Sequence, residues 1–194
     1  AHLEISGPAE RVADWRGLLA QARKNPEVVA GAPFVNAQGM LANGDRVRGV
    51  MVRGVLPEME KTVADFSQHM KAGRLEALAP GEFGIVLGGE LARTLGVYPG
   101  DRVVLLTPQG NVTPAGVMPR LKQFTVTGIF EAGMFEYDSG LALIHLADAQ
   151  KLLRLGDDVS GVRLKLDELF RAPFVTRDLA RTLSGDYYLT DWTQ

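Results

Sequence analysis

Arg102-Val-Val-Leu-Leu-Thr107, then Pro108-Gln-Gly-Asn-Val-Thr-Pro-Ala-Gly-Val-Met-Pro119, then Gln123-Phe-Thr-Val-Thr-Gly-Ile-Phe130 is the stretch on which the fold turns. The outer runs have the β-branched and aromatic texture of strands. The segment between them holds Pro108, Pro114 and Pro119 with Gly110 and Gly116, and is far longer than the ~2–5 residues that normally close a hairpin. Proline fixes φ and has no N–H to donate, so the segment reads as a stiff loop that cannot extend the sheet. It carries Val112, Val117 and Met118 with no evident core to enter. From Arg102 to Phe130 there is no acidic residue, whereas Arg102, Arg120 and Lys122 are basic. Two readings are open: an arm held by a partner, with cations near its base, or an ordinary surface loop.

Working outward, Gly84-Ile-Val-Leu-Gly88 reads as a short buried strand, Glu90 to Leu95 as a small helix capped by Gly96, and Tyr98-Pro-Gly-Asp101 as the turn into Arg102. Gly140 to His145 is a strand and Asp148 to Leu155 a helix that Gly156 ends. Upstream, Leu3 to Ser6 is a strand. Val12, Trp15, Leu18, Leu19 and Ala22 have helical spacing within Ala9 to Lys24, and Val28 to Ala42 makes one or two strands. Asn43-Gly44 signals a two-residue hairpin into Arg46 to Val55, and Lys61 to Gly73 reads as a partly polar helical connector. Downstream, Val162, Leu164 and Leu166 alternate with Arg163 and Lys165, the pattern of a half-exposed strand. Phe170 to Leu183 is helical with Pro173 in its first turn, and Tyr187 to Trp192 closes as a strand. Strand–helix units at both ends therefore bracket a β-rich middle, predicting an outer subdomain over 1–79 and 157–194 with an insert at 80–156.

The 194 residues are 46% hydrophobic and 23% charged, a globular composition. A net charge of −2 argues against broad capture of nucleic acid. No run approaches the ~20 apolar residues of a membrane helix, and no signal peptide opens the chain. With strand-like residues at both ends, the sequence reads as a domain taken from a longer protein. Zero cysteines exclude disulfides and thiolate metal sites.

Candidate chemistry is sparse. His2, His69 and His145 fall in different elements, which predicts no shared metal site. Gly84 to Gly89 lacks the order and the Lys-Ser/Thr of a phosphate loop, and no Gly-x-Ser-x-Gly elbow occurs. Glu131, Glu136 and Asp138 cluster in EAGMFEYD, readable as a solvated turn, an acid–base or cation site, or, with Met134, Phe135 and Tyr137, a contact surface. Asn111-Val-Thr113 is a glycosylation triplet, meaningful only in a eukaryotic secretory pathway. Arg46, Arg48 and Arg53 read as a basic face protecting an exposed strand edge.

In order and spacing, Gly96-Val-Tyr-Pro-Gly-Asp-Arg-Val103, Thr113-Pro-Ala-Gly-Val-Met-Pro119, Phe124-Thr-Val-Thr-Gly-Ile-Phe130, Glu136-Tyr-Asp138, Ala147-Asp-Ala-Gln150 and Asp191-Trp-Thr-Gln194 resemble one family. It is the periplasmic domain, a MacB-like periplasmic core domain, of the membrane subunits of the bacterial lipoprotein-releasing ABC transporter, the LolC/LolE type. The resemblance covers nearly the whole chain, although no single motif is diagnostic. It implies an α+β fold: a discontinuous α/β porter-like subdomain with an inserted β-rich sabre-like subdomain carrying a long hook hairpin. It implies a non-enzymatic domain without cofactor, held in the periplasm by an inner-membrane protein, with ATP used by a separate cytoplasmic subunit. Its partners would be the second permease subunit, the ATPase subunit, the lipoprotein cargo and, in the LolC-like branch, the periplasmic chaperone LolA. The hook carries over to Pro108–Pro119. The partner-binding residues would be Pro108, Asn111, Val112, Pro114, Val117, Met118 and Pro119, with Lys122 and Arg120 as the basic pad beside it. Val104 and Leu121 stand where the family pattern has a basic and a polar residue, leaving open a LolC-like, a LolE-like or a hybrid subunit. A related MacB-like efflux or division-associated subunit with another periplasmic partner is the alternative.

Overall fold

The computed structural model describes residues 1–193, and the side chains of all of these except 109–113 and 117. Ten strands share one hydrogen-bonded sheet: β1 (Leu3–Ser6), β2 (Val28–Asn43), β3 (Arg46–Val55), β4 (Met70–Ala72), β5 (Gly84–Gly88), β6 (Arg102–Thr113), β7 (Gly116–Phe130), β8 (Leu141–His145), β9 (Gly161–Leu166) and β10 (Tyr188–Asp191). Six helices accompany them: α1 (Trp15–Ala22), α2 (Pro57–Glu60), α3 (Gly89–Leu95), α4 (Phe135–Gly140), α5 (Leu146–Leu153) and α6 (Ala172–Thr182). The fold is therefore mixed α and β, as the sequence predicts.

β2 organises the sheet. Its first half pairs with β9, which continues through β1 to β10; its second half pairs with β3 on one side and, over Met40–Ala42, with β6 on the other. Since β3 pairs with β8, β8 with β5, β5 with β7 and β7 with β6, the strands β2-β3-β8-β5-β7-β6 close into a ring. Closure removes free edges. It also demands close approach at the seam: a Cβ on Gly39 would strike the backbone carbonyl of Leu106.

Alternation along the ring strands sorts two cores. Ile85, Leu87, Ala142 and Ile144 join Val103, Leu105, Phe124 and Val126 in one cluster, whereas Val86, Leu141 and Leu143 face Phe66, Leu75, Leu78 and Phe130 in another. This explains why Gly84–Gly88 and Leu141–Ile144 are apolar without a period: β5 and β8 are covered on both faces. Trp15, Leu18, Leu19 and Ala22 of α1, with Ala172, Val175 and Leu179 of α6, bury their i, i+3, i+4 stripes in the first cluster, which also holds β1 and β9. Each such large side chain contributes about 1.5–3 kcal/mol of transfer free energy.

Several expectations need correction. The helix expected from Ala9 is confined to Trp15–Ala22, because Asp14 accepts from the Gly17 N–H and caps it there, and Val12 bridges to Val159. The connector 61–73 is not a helix: it holds a 3-10 turn at Phe66–Gln68 and the strand β4, with Phe66 driven into the second core. The 131–139 segment is not all loop, since α4 begins at Phe135. The hairpin after β2 turns on Gly44-Asp45, with Asn43 paired to Arg46 and Gly44 at φ 63°. β9 is buried except at Lys165, so the expected exposure fails at Arg163. Arg163 is 5% exposed because its guanidinium pairs with Glu60 of α2, which is fully buried.

The proline-rich segment differs most. It extends the ladder instead of interrupting it: β6 runs to Thr113, β7 starts at Gly116, and only Pro114-Ala115 turns, with Gly116 at φ 116°. Pro108 and Pro119 are tolerated because the ladder breaks register where they fall, and Pro114 lies in the turn. Thr107 pairs with Arg120 and Asn111 with Met118, so Pro108, Gln109 and Gly110 lie opposite Pro119 alone. Such irregularities are where a strand admits proline.

Candidate functional site: the arm and the groove at its base

β6 contacts β2 no further out than Leu106, and β7 pairs with β5 only from Thr125 inward. Among the described residues, β6 and β7 pair only with each other beyond Thr107 and Arg120, so 108–119 is a two-stranded ribbon projecting from the ring. Pro108, Pro114 and Pro119 are exposed, and Met118 is 55% exposed. The side chains of Asn111, Val112 and Val117 lie outside the described residues.

At the ribbon's base β7 meets α5. The Arg120 guanidinium donates to the Leu152 carbonyl at 2.7 Å, satisfying an acceptor in the last turn of α5. The Lys122 ammonium sits 4.1 Å from the centre of the Phe83 ring, a cation–π contact. Phe83 in turn packs edge-on to the buried Phe124 at 5.5 Å. Its backbone is left-handed, at φ 52°, and is held by Asp148, whose carboxylate accepts from the Gly81 and Phe83 N–H groups at 2.7 and 3.1 Å. Between β7 and α5 lies an open groove of about 400 Å3. Met118, Pro119, Arg120, Leu121 and Lys122 form one wall and Lys151, Leu152 and Arg154 the other, with Phe83 as floor. The sequence reading named Arg120 and Lys122 as a basic pad; Lys151 and Arg154 line the same groove from another element. Leu121 is 61% exposed in this groove, and Val104 is half-buried in the ladder opposite Gln123.

Several of the remaining candidates have structural roles, and others are simply exposed. Asp138 is buried and accepts from the Ala132 and Gly133 N–H groups at 2.7 and 3.1 Å, closing the loop before α4. Glu131 pairs with Arg93 at 3.2 Å, and Glu136 is exposed. Met134 and Phe135 are exposed, while Tyr137 packs against Phe66. Gly84–Gly89 packs strand to helix: a Cβ on Gly88 would overlap the Asp138 carbonyl. The imidazole of His69 meets Asp65 at 3.1 Å, His2 Nδ1 accepts from the Leu166 N–H, and His145 Nδ1 accepts from the Ala147 N–H to cap α5. Burial lowers the pKa of His2 and His145. Among the described residues no cluster of three metal-binding side chains occurs. Arg46 and Arg48 are exposed, but Arg53 is not: it is 8% exposed, donates to Asn36 at 3.2 Å, and has its pKa lowered by burial and by Arg163. The three arginines thus do not form one face, and β3 is no edge at Arg53, where it pairs with β8.

The fold, one ten-stranded sheet part of which closes into a ring, is shared with solved structures. The extracellular domain of the noncanonic ABC-type transporter YknZ from Gram-positive bacteria superimposes with a TM-score of 0.59 over 98% of this chain and all of that one, at 12% identity. The periplasmic region of MacB from Actinobacillus actinomycetemcomitans does so at 0.57, covering 97% of this chain and 87% of that one, at 13% identity. Residues 4–180 match the model of the MacB-like periplasmic core domain, and the chain belongs to that family. It is 45% identical over 193 residues to the lipoprotein-releasing system transmembrane protein LolC of Neisseria meningitidis, covering 99% of this chain and 46% of that protein. Against the transmembrane protein LolE of Haemophilus influenzae it is 32% identical over 187 residues, covering 92% and 42%. The chain spans about half the length of these curated relatives. Among its described residues, no helix is long and apolar enough to cross a membrane.

Proposed function

We propose that this chain is the periplasmic domain of a LolC-type permease subunit of a lipoprotein-releasing ABC transporter, and that its 108–119 arm docks the LolA-type chaperone that receives the lipoprotein. The carrying observation is the 45% identity to a LolC protein across 99% of the chain. The projecting ribbon supports it, because among the described residues its two strands pair only with each other beyond Thr107 and Arg120. On this reading the domain is not an enzyme. The inner membrane holds the rest of the subunit, a second permease subunit stands beside it, and ATP is consumed by a separate cytoplasmic subunit whose motion is coupled to cargo transfer. Residues 1–79 with 157–194 act as the porter-like part and 80–156 as the sabre-like part.

The physics suits a transient handover. An arm of this size buries less than the ~1,200 Å2 below which interfaces are weak and short-lived. Its two strands are already paired and stiffened by proline, so little conformational freedom is lost on binding. Exposed Met118, with Val112 and Val117, supplies apolar contact, while the nearby cations raise the rate of encounter.

The test is titration of the chain with purified LolA-type chaperone, beside Val117→Asp, Met118→Asp and a variant with Pro108–Pro119 replaced by an Asn-Gly turn. Binding lost in all three with thermal stability retained is expected. Binding retained in all three overturns the role of the arm, and no binding by the intact chain overturns the LolC-type reading.

A further inference from the structure

We infer that the groove between α1 and the start of α2 holds an anionic phospholipid, with one acyl chain laid over Trp15, Leu19 and Met59 and the head group met by Arg16. The inference goes beyond chaperone docking; from the proposed function it takes only that a membrane-embedded subunit carries this domain.

The shape of the groove makes the first argument. Its volume, about 470 Å3, lies in the range of ~300–1,000 Å3 typical of binding clefts. Trp15, Leu19, Leu56 and Met59 give it an apolar floor. Arg16, Ala20 and Arg23 stand at i, i+4 and i+7 and line it from one face of α1. Ala20 is exposed and ends at Cβ, so the space between the two arginines, about 10 Å apart along the helix axis, stays open.

Charge makes the second. Arg16 lies in the first turn of α1, where the helix dipole disfavours a cation. Its guanidinium rests on the Trp15 ring at 4.4 Å, and among the described residues it pairs with no carboxylate. Arg23 donates to the Val29 carbonyl at 3.3 Å and is likewise unmatched by a carboxylate. The carboxylates of the two helices are engaged elsewhere: Asp14 accepts from the Gly17 N–H, Glu58 pairs with Lys61, and Glu60 pairs with Arg163. None of the lining residues is acidic. A cation held against an apolar surface attracts an anion more strongly than one surrounded by water.

The third argument concerns what the lining can and cannot bond. Arg16, Arg23 and Trp15 offer hydrogen-bond donors, and apart from the weak thioether of Met59 no lining side chain offers an acceptor. A peptide laid in the groove would find no side-chain partner for its own N–H groups. An acyl chain asks for no partner, and a phosphodiester asks only for donors.

The test uses the chain with Trp192→Phe, which leaves Trp15 as the one tryptophan and its fluorescence as the reporter of the groove. The titrants are dihexanoyl phosphatidylglycerol and dihexanoyl phosphatidylcholine, each below its micellar concentration, with glycerol phosphate as a head group alone and hexaglutamate as an acidic peptide. A saturable response to phosphatidylglycerol is expected, weaker by about tenfold for phosphatidylcholine, and absent for the other two; tenfold is the worth of one charge-assisted hydrogen bond. Arg16→Gln should bring phosphatidylglycerol down to the level of phosphatidylcholine while keeping or raising thermal stability. Ala20→Phe fills the concavity from an exposed position and should abolish both responses. Equal responses to the two lipids in the intact chain, a phosphatidylglycerol response that survives Ala20→Phe, or no response at all overturns the inference. A hexaglutamate response that Ala20→Phe abolishes assigns the groove to an acidic peptide and overturns it as well. Titration of the same chain with purified LolA-type chaperone keeps the two readings apart: lipid bound without chaperone retains the groove and loses the docking reading, and chaperone bound without lipid does the reverse.

Discussion

Removing Glu60 should be among the most damaging single changes to this fold. Its carboxylate is fully buried, pairs with the Arg163 guanidinium, and stands in the field of Arg53, which is also buried. Among the described residues, the other carboxylate paired with Arg163 is the partly exposed Glu4, at 3.6 Å. Glu60→Ala therefore strands two guanidinium groups together inside the protein. Breaking a buried pair from one side costs about 3–5 kcal/mol, and the second arginine points to the upper end. For a domain of this length each kcal/mol lowers Tm by about 2–4 °C, so a fall of about 6–20 °C is expected. Glu60→Leu combined with Arg163→Met should recover most of the loss, because desolvated charges are then replaced by packing. Urea unfolding of the two singles and the double gives the coupling directly. A loss below about 1 kcal/mol in Glu60→Ala, or a double variant no better than the singles, would refute a dry, mutually dependent pair.

Asp148→Ala frees the N–H groups of Gly81 and Phe83; a loss of about 1–3 kcal/mol is expected by denaturant unfolding, together with weaker chaperone binding because Phe83 floors the groove. Gly88→Ala drives a Cβ into the Asp138 carbonyl, and about 1–3 kcal/mol should be lost, with amide exchange accelerating across 131–140. Gly96→Ala places a side chain at φ 71° and should cost about 1 kcal/mol in the same assay. The pKa of His145 in the fold is lowered from 6.5, so between the two values the unfolded chain binds more protons; stability should rise with pH through that window and fall as acid protonates the Nδ1 that caps α5. His145→Asn keeps a capping acceptor that does not titrate, and should flatten this part of the pH–stability curve.

Local signals were legible where a residue's neighbours in sequence are also its neighbours in space. The i, i+3, i+4 stripes of α1 and α6 and the left-handed Gly96 after α3 are of that kind. The arm's place was readable too, but its form was not. Proline argues against a strand, and only the structure shows how two of them, Pro108 and Pro119, sit at a register break while Pro114 takes the turn. Arg163 looked like the solvent side of an alternating strand because its partner lies 103 residues away on α2. Lys151 and Arg154 looked like the surface of a short helix for the same reason, since β7 approaches α5 only through the ring.

The ring also determines how a load on the arm is distributed. β6 and β7 pass from the ribbon into the sheet as unbroken strands, one seated on β2 and the other on β5. Tension at the tip along the strand direction would thus reach two separate neighbours as shear spread over many ladder hydrogen bonds, instead of peeling one edge bond by bond. A partner's pull would displace the domain as a unit before it detached the arm, making the hairpin a lever fixed at its root.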